Sequence, residues 1–267
     1  MNAKLIAEKA YDYLLEGCNG EKEKLDYYLE YYKYSKVSSL KGVFREMLHH
    51  ATQKQGSPNF IGGIENLEAV LFSFNPKEVV QVYGKWDKVF DAIAESDYVT
   101  PSKMDRENNR NTWVQFSKTI MAIARFLDRF DQYEEFEKYV NQFLVKENPD
   151  LRIGLPLIIS SEIHGYGFAL ACSFLKEVVS PGFIKPDTHV NYIAMNLGIA
   201  DQGDSDYRIY SKLVAFSEEA NKEPYWIDRA FFLIGRGSFF KTKRYPNEDT
   251  INCSKSEFVQ IIKNISK

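Results

Sequence analysis

Two short segments rich in glycine and proline contain the residues best suited to chemistry. In the first, residues 164–167 (His-Gly-Tyr-Gly) join two apolar stretches, residues 155–163 and 168–175. Two glycines one residue apart allow a tight turn with positive φ and the close approach of another backbone. The amides at the start of the second stretch would lack partners within their own helix, and the helix dipole there favours an anion such as phosphate.

The second segment ends in a single carboxylate. Residues 180–186 read Ser-Pro-Gly-Phe-Ile-Lys-Pro and are followed by Asp187, which precedes apolar residues at helical spacing. An aspartate often caps a helix, and a fixed carboxylate can also stabilise a developing positive charge and orient a water molecule. Asp187 is therefore a candidate helix cap and a candidate catalytic group, and the two roles are compatible. We expect His189 to join the hydrogen bonding of this loop.

Helices must position these residues. Apolar residues recur at helical spacing along nearly the whole chain, and no region alternates with the two-residue period of several strands. The sequence thus predicts an all-α fold. The predicted helices cover residues 3–16, 22–35, 38–53, 64–72, 76–83, 112–127, 132–145, 154–163, 168–179, 188–197, 206–220 and 225–234.

The order of these segments resembles the helix-hairpin-helix, Gly/Pro-rich-loop, Asp superfamily of DNA glycosylases. The family's hairpin commonly reads leucine-proline-glycine-x-glycine, for which this chain has residues 163–167. Its aspartate commonly lies in an Asp-Thr-His or Asp-x-His context, matched by residues 187–189. Residues 226–237 resemble a later helix of the family that often ends in a Gly-Arg pair. The resemblance covers about residues 150–240.

This resemblance implies two helical lobes with a cleft between them. It separates an N-terminal helical region, residues 1–100, from a glycosylase-like region, residues 101–267, with the hairpin at 155–179 and a catalytic loop at 180–189. The implied activity is that of a base-excision repair enzyme, which hydrolyses the N-glycosidic bond of a damaged base in double-stranded DNA. Asp187 would stabilise the oxocarbenium-like transition state and orient water.

Two departures from the family pattern narrow this expectation. Bifunctional members carry a Schiff-base lysine two residues after the second hairpin glycine, where this chain has Ala169, and Lys176 lies too far along the helix to replace it. The resemblance therefore implies a monofunctional enzyme, with an alkylated purine as a candidate substrate base. Some members hold an iron–sulfur cluster on four clustered cysteines. Because Cys18, Cys172 and Cys253 are far apart, we expect no cluster and no disulfide framework.

The resemblance also implies the residues that would meet DNA. The DNA backbone is expected to contact the hairpin and the later helix at Gly165, Tyr166, Gly167, Ala169 and Arg236. Candidate aromatic walls of a pocket for an extruded base are Trp113, Phe116 and Trp226. Core or hairpin packing is the favoured explanation for each of these three aromatic residues. In the family the hairpin often holds a monovalent cation on backbone carbonyls, which here would be those of Ser161, Ile163 and Tyr166.

Overall charge does not favour a broadly basic surface. The 267 residues have a net charge of −3, although a local patch can bind phosphates when the total is acidic. One such basic group comprises Arg236, Lys241, Lys243 and Arg244. The N-terminus lacks a signal core and no apolar run is long enough to cross a membrane, so we expect a cytoplasmic monomer that associates with the nucleoid.

Two other readings stay open. One is a non-catalytic helix-hairpin-helix module that binds DNA or partners and keeps Asp187 for structure alone. The other is a helical interaction protein in which the hairpin has no role in DNA binding. Salt-dependent DNA binding would separate the helical interaction protein from both the glycosylase and the DNA-binding module.

Overall fold

The structure is a computed structural model that describes residues 2–52, 63–96, 104–145 and 148–265. Over these residues the fold is all-α, as predicted, and the only β-type pairing among them is an isolated antiparallel bridge between Ser238 and Thr250. No described helix is long and apolar enough to cross a membrane. The α-helices are α1 (Ala3–Gly17), α2 (Lys22–Leu29), α3 (Tyr32–Ser35), α4 (Leu40–Thr52), α5 (Pro76–Tyr83), α6 (Trp86–Ala94), α7 (Thr112–Leu127), α8 (Tyr133–Asn141), α9 (Gly154–Glu162), α10 (Phe168–Phe174), α11 (Thr188–Asn196), α12 (Asp206–Glu219), α13 (Pro224–Arg236) and α14 (Lys255–Ile265).

The chain folds into two compact units, each assembled from separate stretches of sequence. The predicted boundary between residues 100 and 101 lies outside the described residues, and the second unit spans it. The first unit comprises Met1–Lys36, Lys146–Ile153 and Leu175–Lys267, and the second comprises Val37–Val145 and Gly154–Phe174. The hairpin between α9 and α10 therefore belongs to the second unit, whereas Asp187 belongs to the first.

In the first unit, α13 is the central helix. Pro224 occupies its first turn, and Gly237, with φ of +69°, ends it in the left-handed conformation. The helix packs against α1, α2, α11, α12 and α14. Most of its residues are consequently buried, including the charged pair Asp228 and Arg229. This helix thus packs against α11, whose first turn follows Asp187, and supports the loop of residues 180–186 that precedes it.

In the second unit, α7 takes the central place. The side chain of Asn111 caps this helix by accepting a hydrogen bond from the Trp113 amide at 3.0 Å. Its neighbours are α4, α5 and α6, and α4 in turn contacts α10 of the hairpin. The apolar stripe that predicted α7 from sequence is buried, with Ile120 and Ile123 fully enclosed. The hairpin is therefore supported by the core of this unit.

Several helix boundaries differ from the predicted ones. The helix predicted over residues 22–35 is interrupted between α2 and α3, and the one over 64–72 is reduced to a 3₁₀ turn, Ile64–Leu67. Residues 168–179 are helical as predicted, but Leu175–Val179 form a π-helical turn. α6 and α14 lie in segments for which no helix was predicted, although each buries apolar residues at helical spacing.

Candidate active site

Asp187 is the N-cap of α11. Its Oδ1 accepts hydrogen bonds from the amides of His189 and Val190 at 2.9 and 3.0 Å. The side chain is half-buried, and its second oxygen, Oδ2, accepts no hydrogen bond from the residues that the structure describes. The cap thus fixes the carboxylate and leaves one oxygen available to a ligand or a water molecule.

The loop before Asp187 is tied to α13 at two points. The Tyr225 amide donates a hydrogen bond to the Pro181 carbonyl at 2.9 Å, and the Lys185 amide donates one to Oδ2 of Asp228 at 2.6 Å. Tyr225 and Asp228 are three residues apart in a helix, so they share one face. The backbone of this loop therefore runs along α13 and is held from beneath.

Asp228 belongs to a group of four charged residues that sequence reasoning missed, of which Asp228, Lys176 and Arg229 are buried and Glu177 is partly exposed. Nζ of Lys176 lies 2.5 Å from Oδ1 of Asp228, and the two side chains are only 3% and 1% exposed. Oε1 of Glu177 lies 3.4 Å from the Lys176 ammonium and 3.0 Å from Nη2 of Arg229. The two positive and two negative side chains balance, which is the condition for burying them without a lone charge.

The electrostatics of Asp228 connect this group to Asp187. Burial raises the pKa of the Asp228 carboxyl above its usual value, the Lys176 ammonium opposes that shift, and the Asp187 carboxylate adds to it. Asp187 is therefore near enough for its charge to act on Asp228. Charged residues within apolar segments were the available sequence signal, because Lys176-Glu177 and Asp228-Arg229 each interrupt a run of apolar residues.

The Asp-Thr-His segment and the Gly-Arg segment pack against each other. A Cβ atom at Gly235 would lie 2.4 Å from Cβ and 2.8 Å from Cγ of His189, so only glycine allows α11 to approach α13 so closely. The imidazole also packs edge-on against Phe232, with 6.0 Å between ring centroids. The expectation that His189 joins the hydrogen bonding of the loop is confirmed for its backbone amide, which donates to Asp187. The imidazole does not add to it through Nδ1, which is buried and has no partner among the described residues.

The two hairpin glycines have different roles. Gly165 has a φ of +78°, a conformation that side chains rarely adopt. Gly167 has no such φ, its backbone is exposed, and a Cβ atom added there would meet nothing within 4 Å. Its carbonyl accepts hydrogen bonds from the Leu170 and Ala171 amides and so begins α10. Packing within the chain consequently does not require glycine at position 167.

Tyr166 does not present its side chain at the tip of the hairpin. Its ring is 2% exposed, its hydroxyl donates a hydrogen bond to the Met47 carbonyl at 3.0 Å, and burial raises its pKa well above the usual value. This burial corrects the prediction that Tyr166 contacts DNA, as far as its side chain is concerned. The carbonyl of Ile163 accepts a hydrogen bond from the Tyr166 amide at 3.0 Å, which leaves its second lone pair for a cation. The cation site on Ser161, Ile163 and Tyr166 stays a prediction.

Two of the predicted base-pocket walls lie in the core of the second unit. Trp113 is 1% exposed and Phe116 is 5% exposed, and the two rings pack against each other with centroids 6.4 Å apart. Neither ring offers a free face to a base, because stacking would first require the core to open. This placement corrects the prediction that Trp113 and Phe116 form a base pocket.

Trp226 has a different environment. It is half-buried and lines a cavity of about 570 Å³ within the first unit. The ammonium of Lys222 lies 4.7 Å from the centre of its ring, a cation–π distance. The charged residues around this cavity are Glu30, Glu218, Glu223, Arg152 and Lys222, with carboxylates in excess. This excess of negative charge disfavours the phosphates that would accompany a DNA base.

The basic group beyond α13 is partly committed to ion pairs. Arg236 pairs with Glu248 at 3.2 Å and donates a hydrogen bond from its Nε to Ser238 at 2.9 Å. Arg244 pairs with Glu23. Because exposed pairs of this kind contribute at most about 1 kcal/mol, each arginine is only weakly held by its carboxylate partner.

No described group of three or more histidine, cysteine, aspartate or glutamate side chains could hold a metal ion. Comparison of the chain with protein-family models, with curated proteins and with solved structures found no match. The functional argument therefore depends on the chain's own motifs and on the geometry around Asp187.

Proposed function

We propose that this protein is a monofunctional DNA glycosylase, which hydrolyses the N-glycosidic bond of a damaged base in double-stranded DNA. An alkylated purine is the candidate base. One observation carries the proposal: a half-buried carboxylate, Asp187, is held through one oxygen by two backbone amides while its other oxygen accepts no hydrogen bond from the described residues. Such a group is oriented before substrate arrives, which is what electrostatic catalysis needs.

In the proposed reaction, the bond between the sugar C1′ and the base nitrogen breaks while a water oxygen bonds to C1′. The leaving base takes the electron pair, positive charge develops on the sugar in the transition state, and the one proton that the water gives up passes through Asp187 to the base or to solvent. Oδ2 of Asp187 would lie against that charge and accept the proton of the attacking water. The target base must first leave the stack, as for other enzymes that act on bases in a duplex.

Water, rather than an amine, is the proposed nucleophile. Ala169, at the position of the lysine in bifunctional glycosylases, has no nucleophilic group. The nearby Lys176 is buried, and its ammonium lies 2.5 Å from Asp228. An ammonium held in this way has no free electron pair for Schiff-base formation, which supports a monofunctional enzyme.

The hairpin is the proposed contact to the DNA backbone. Support comes from Gly167, where open space beside an exposed backbone would admit a phosphate. The proposal includes the two-lobed organisation with a DNA cleft that the family resemblance implies. Arg236 is the proposed side-chain contact to a phosphate.

The second candidate function is a non-catalytic helix-hairpin-helix protein that binds DNA. The burial of Trp113 and Phe116 favours it, because a glycosylase needs a pocket for the extruded base and these rings do not provide one. Base release from a panel of lesion-bearing duplexes, by wild type and by Asp187→Asn, distinguishes the two functions. Release by wild type alone supports the glycosylase, whereas DNA binding without release from any lesion supports the second candidate.

A further inference from the structure

The loop that precedes Asp187 rests on a buried carboxylate whose two oxygens have separate partners. Oδ1 of Asp228 lies 2.5 Å from the Lys176 ammonium, and Oδ2 accepts a hydrogen bond from the Lys185 amide at 2.6 Å. A hydrogen bond to a charged acceptor is stronger than one between neutral groups. The Lys185 amide is therefore held firmly, two residues before the carboxylate of Asp187.

Lys176 reaches Asp228 from an unusual backbone. It lies in the π-helical turn Leu175–Val179, which closes with a hydrogen bond of 2.9 Å from the Ser180 amide to the Leu175 carbonyl. Such turns insert an extra residue into a helix and occur frequently at functional sites. This turn leads directly into the loop, so the same few residues provide the counter-ion and begin the segment that carries Asp187.

We propose that Asp228, with Lys176 as its counter-ion, is a positioning residue for the reaction, which sets the direction of the free oxygen of Asp187 by fixing the loop at Lys185. This inference rests on the proposed glycosylase function. It assigns Asp228 no contact with substrate.

If the Lys176–Asp228 pair only stabilised the fold, replacing both residues by apolar ones would leave the loop and the reaction unchanged. Buried ion pairs can often be replaced by apolar residues of similar volume with little change in stability, so folding alone does not require this pair. The Lys185 amide, in contrast, needs an acceptor at position 228, because a partly buried donor that loses its acceptor is unfavourable. An amide side chain can supply that acceptor and an apolar side chain cannot.

Two double variants test the proposal in the full-length protein. Lys176→Met/Asp228→Asn removes both charges and keeps an acceptor for the Lys185 amide, whereas Lys176→Met/Asp228→Leu removes both charges and the acceptor. Neither variant leaves a lone buried charge, so both should fold. Arg152→Met is the control for general damage to the first unit, since Arg152 is a buried cation of that unit whose ion-pair partner is Glu218 and not a residue of the loop.

Hydrogen exchange at the Lys185 amide and single-turnover base release are measured on each variant, together with the Kd for the same lesion-bearing duplex. We expect faster exchange in the Leu double variant than in the Asn double variant. We also expect the Leu double variant to release base about a hundredfold more slowly than the Asn double variant, which is the scale of a misplaced catalytic group. The two variants should have the same Kd for the duplex. The control should match wild type in all three measurements.

Equal exchange in the two double variants would overturn the proposal, and so would faster exchange without slower release. A wild type that releases no base from any lesion refutes the proposed function and the positioning role with it. Exchange at Lys185 still decides in that case whether Asp228 anchors the loop, so the two failures are distinguishable.

Discussion

Replacing Asp187 by asparagine separates the two roles that one side chain combines. Asparagine has nearly the same shape, and its side-chain oxygen can accept the hydrogen bonds that the His189 and Val190 amides donate to Oδ1. Asparagine and aspartate are about equally good N-caps, so α11 should begin as before. The variant therefore keeps the cap and loses the negative charge.

The expected loss follows from the position of the carboxylate. Asp187 is half-buried, so an effective dielectric of about 20 is appropriate, and a charge at about 4 Å then interacts with the carboxylate by about 4 kcal/mol. Each 1.36 kcal/mol corresponds to about a tenfold change in rate. Base release by Asp187→Asn should consequently be about a thousandfold slower than by wild type.

The assay is single-turnover base release from a lesion-bearing duplex with enzyme in excess, together with chemical denaturation of each variant. Asp187→Ala is the matched variant that loses the cap as well, and its free energy of unfolding should fall by about 1 kcal/mol. Asp206→Asn removes one negative charge from the first turn of α12 and should leave base release unchanged.

One result would refute this reasoning. If Asp187→Asn releases base at the wild-type rate while Asp187→Ala is destabilised, Asp187 is a helix cap and nothing more. If both variants are slow but Asp187→Asn has also lost stability, the charge and the cap have not been separated as the geometry requires.

Three further outcomes follow from the packing. Gly235→Ala should lower the free energy of unfolding by about 1–3 kcal/mol, because its Cβ would overlap the imidazole beneath it; a wild-type unfolding curve would contradict that contact. Gly167→Ala should change the free energy of unfolding by no more than about 1 kcal/mol but should weaken binding to duplex DNA. Gly165→Ala should lower the free energy of unfolding by about 1 kcal/mol, because residue 165 has a positive φ. Equal Kd values for wild type and Gly167→Ala would remove the hairpin from the proposed interface. Lys176→Met should destabilise by about 3–5 kcal/mol at neutral pH, because it leaves the buried aspartate of α13 uncompensated. Since burial raises the pKa of Asp228, the folded state binds the proton of this carboxyl more tightly than the unfolded state, and Lys176→Met should regain stability as the pH falls. Denaturation curves from pH 7 to pH 5 measure this trend. A loss of stability that does not depend on pH would contradict the prediction.

The local features of this protein could be predicted from its sequence. Helical content, the proline at the start of α5 and the aspartate at the start of α11 each depend on residues within about four positions, and the structure has all of them. The π-helical turn at Leu175–Val179 was not predicted, because its i to i+5 hydrogen bonds leave no distinct apolar pattern.

The tertiary structure alone decided which residues meet across the chain. Periodicity indicates that one face of a helix is buried, but it does not name the partner of that face. Trp113 and Tyr166 were predicted at the surface of a site and lie in a core, because an aromatic ring suits both places. Lys176 and Asp228 are 52 residues apart, and only the packing of α13 beneath the loop makes them an ion pair that holds the backbone before the proposed catalytic carboxylate.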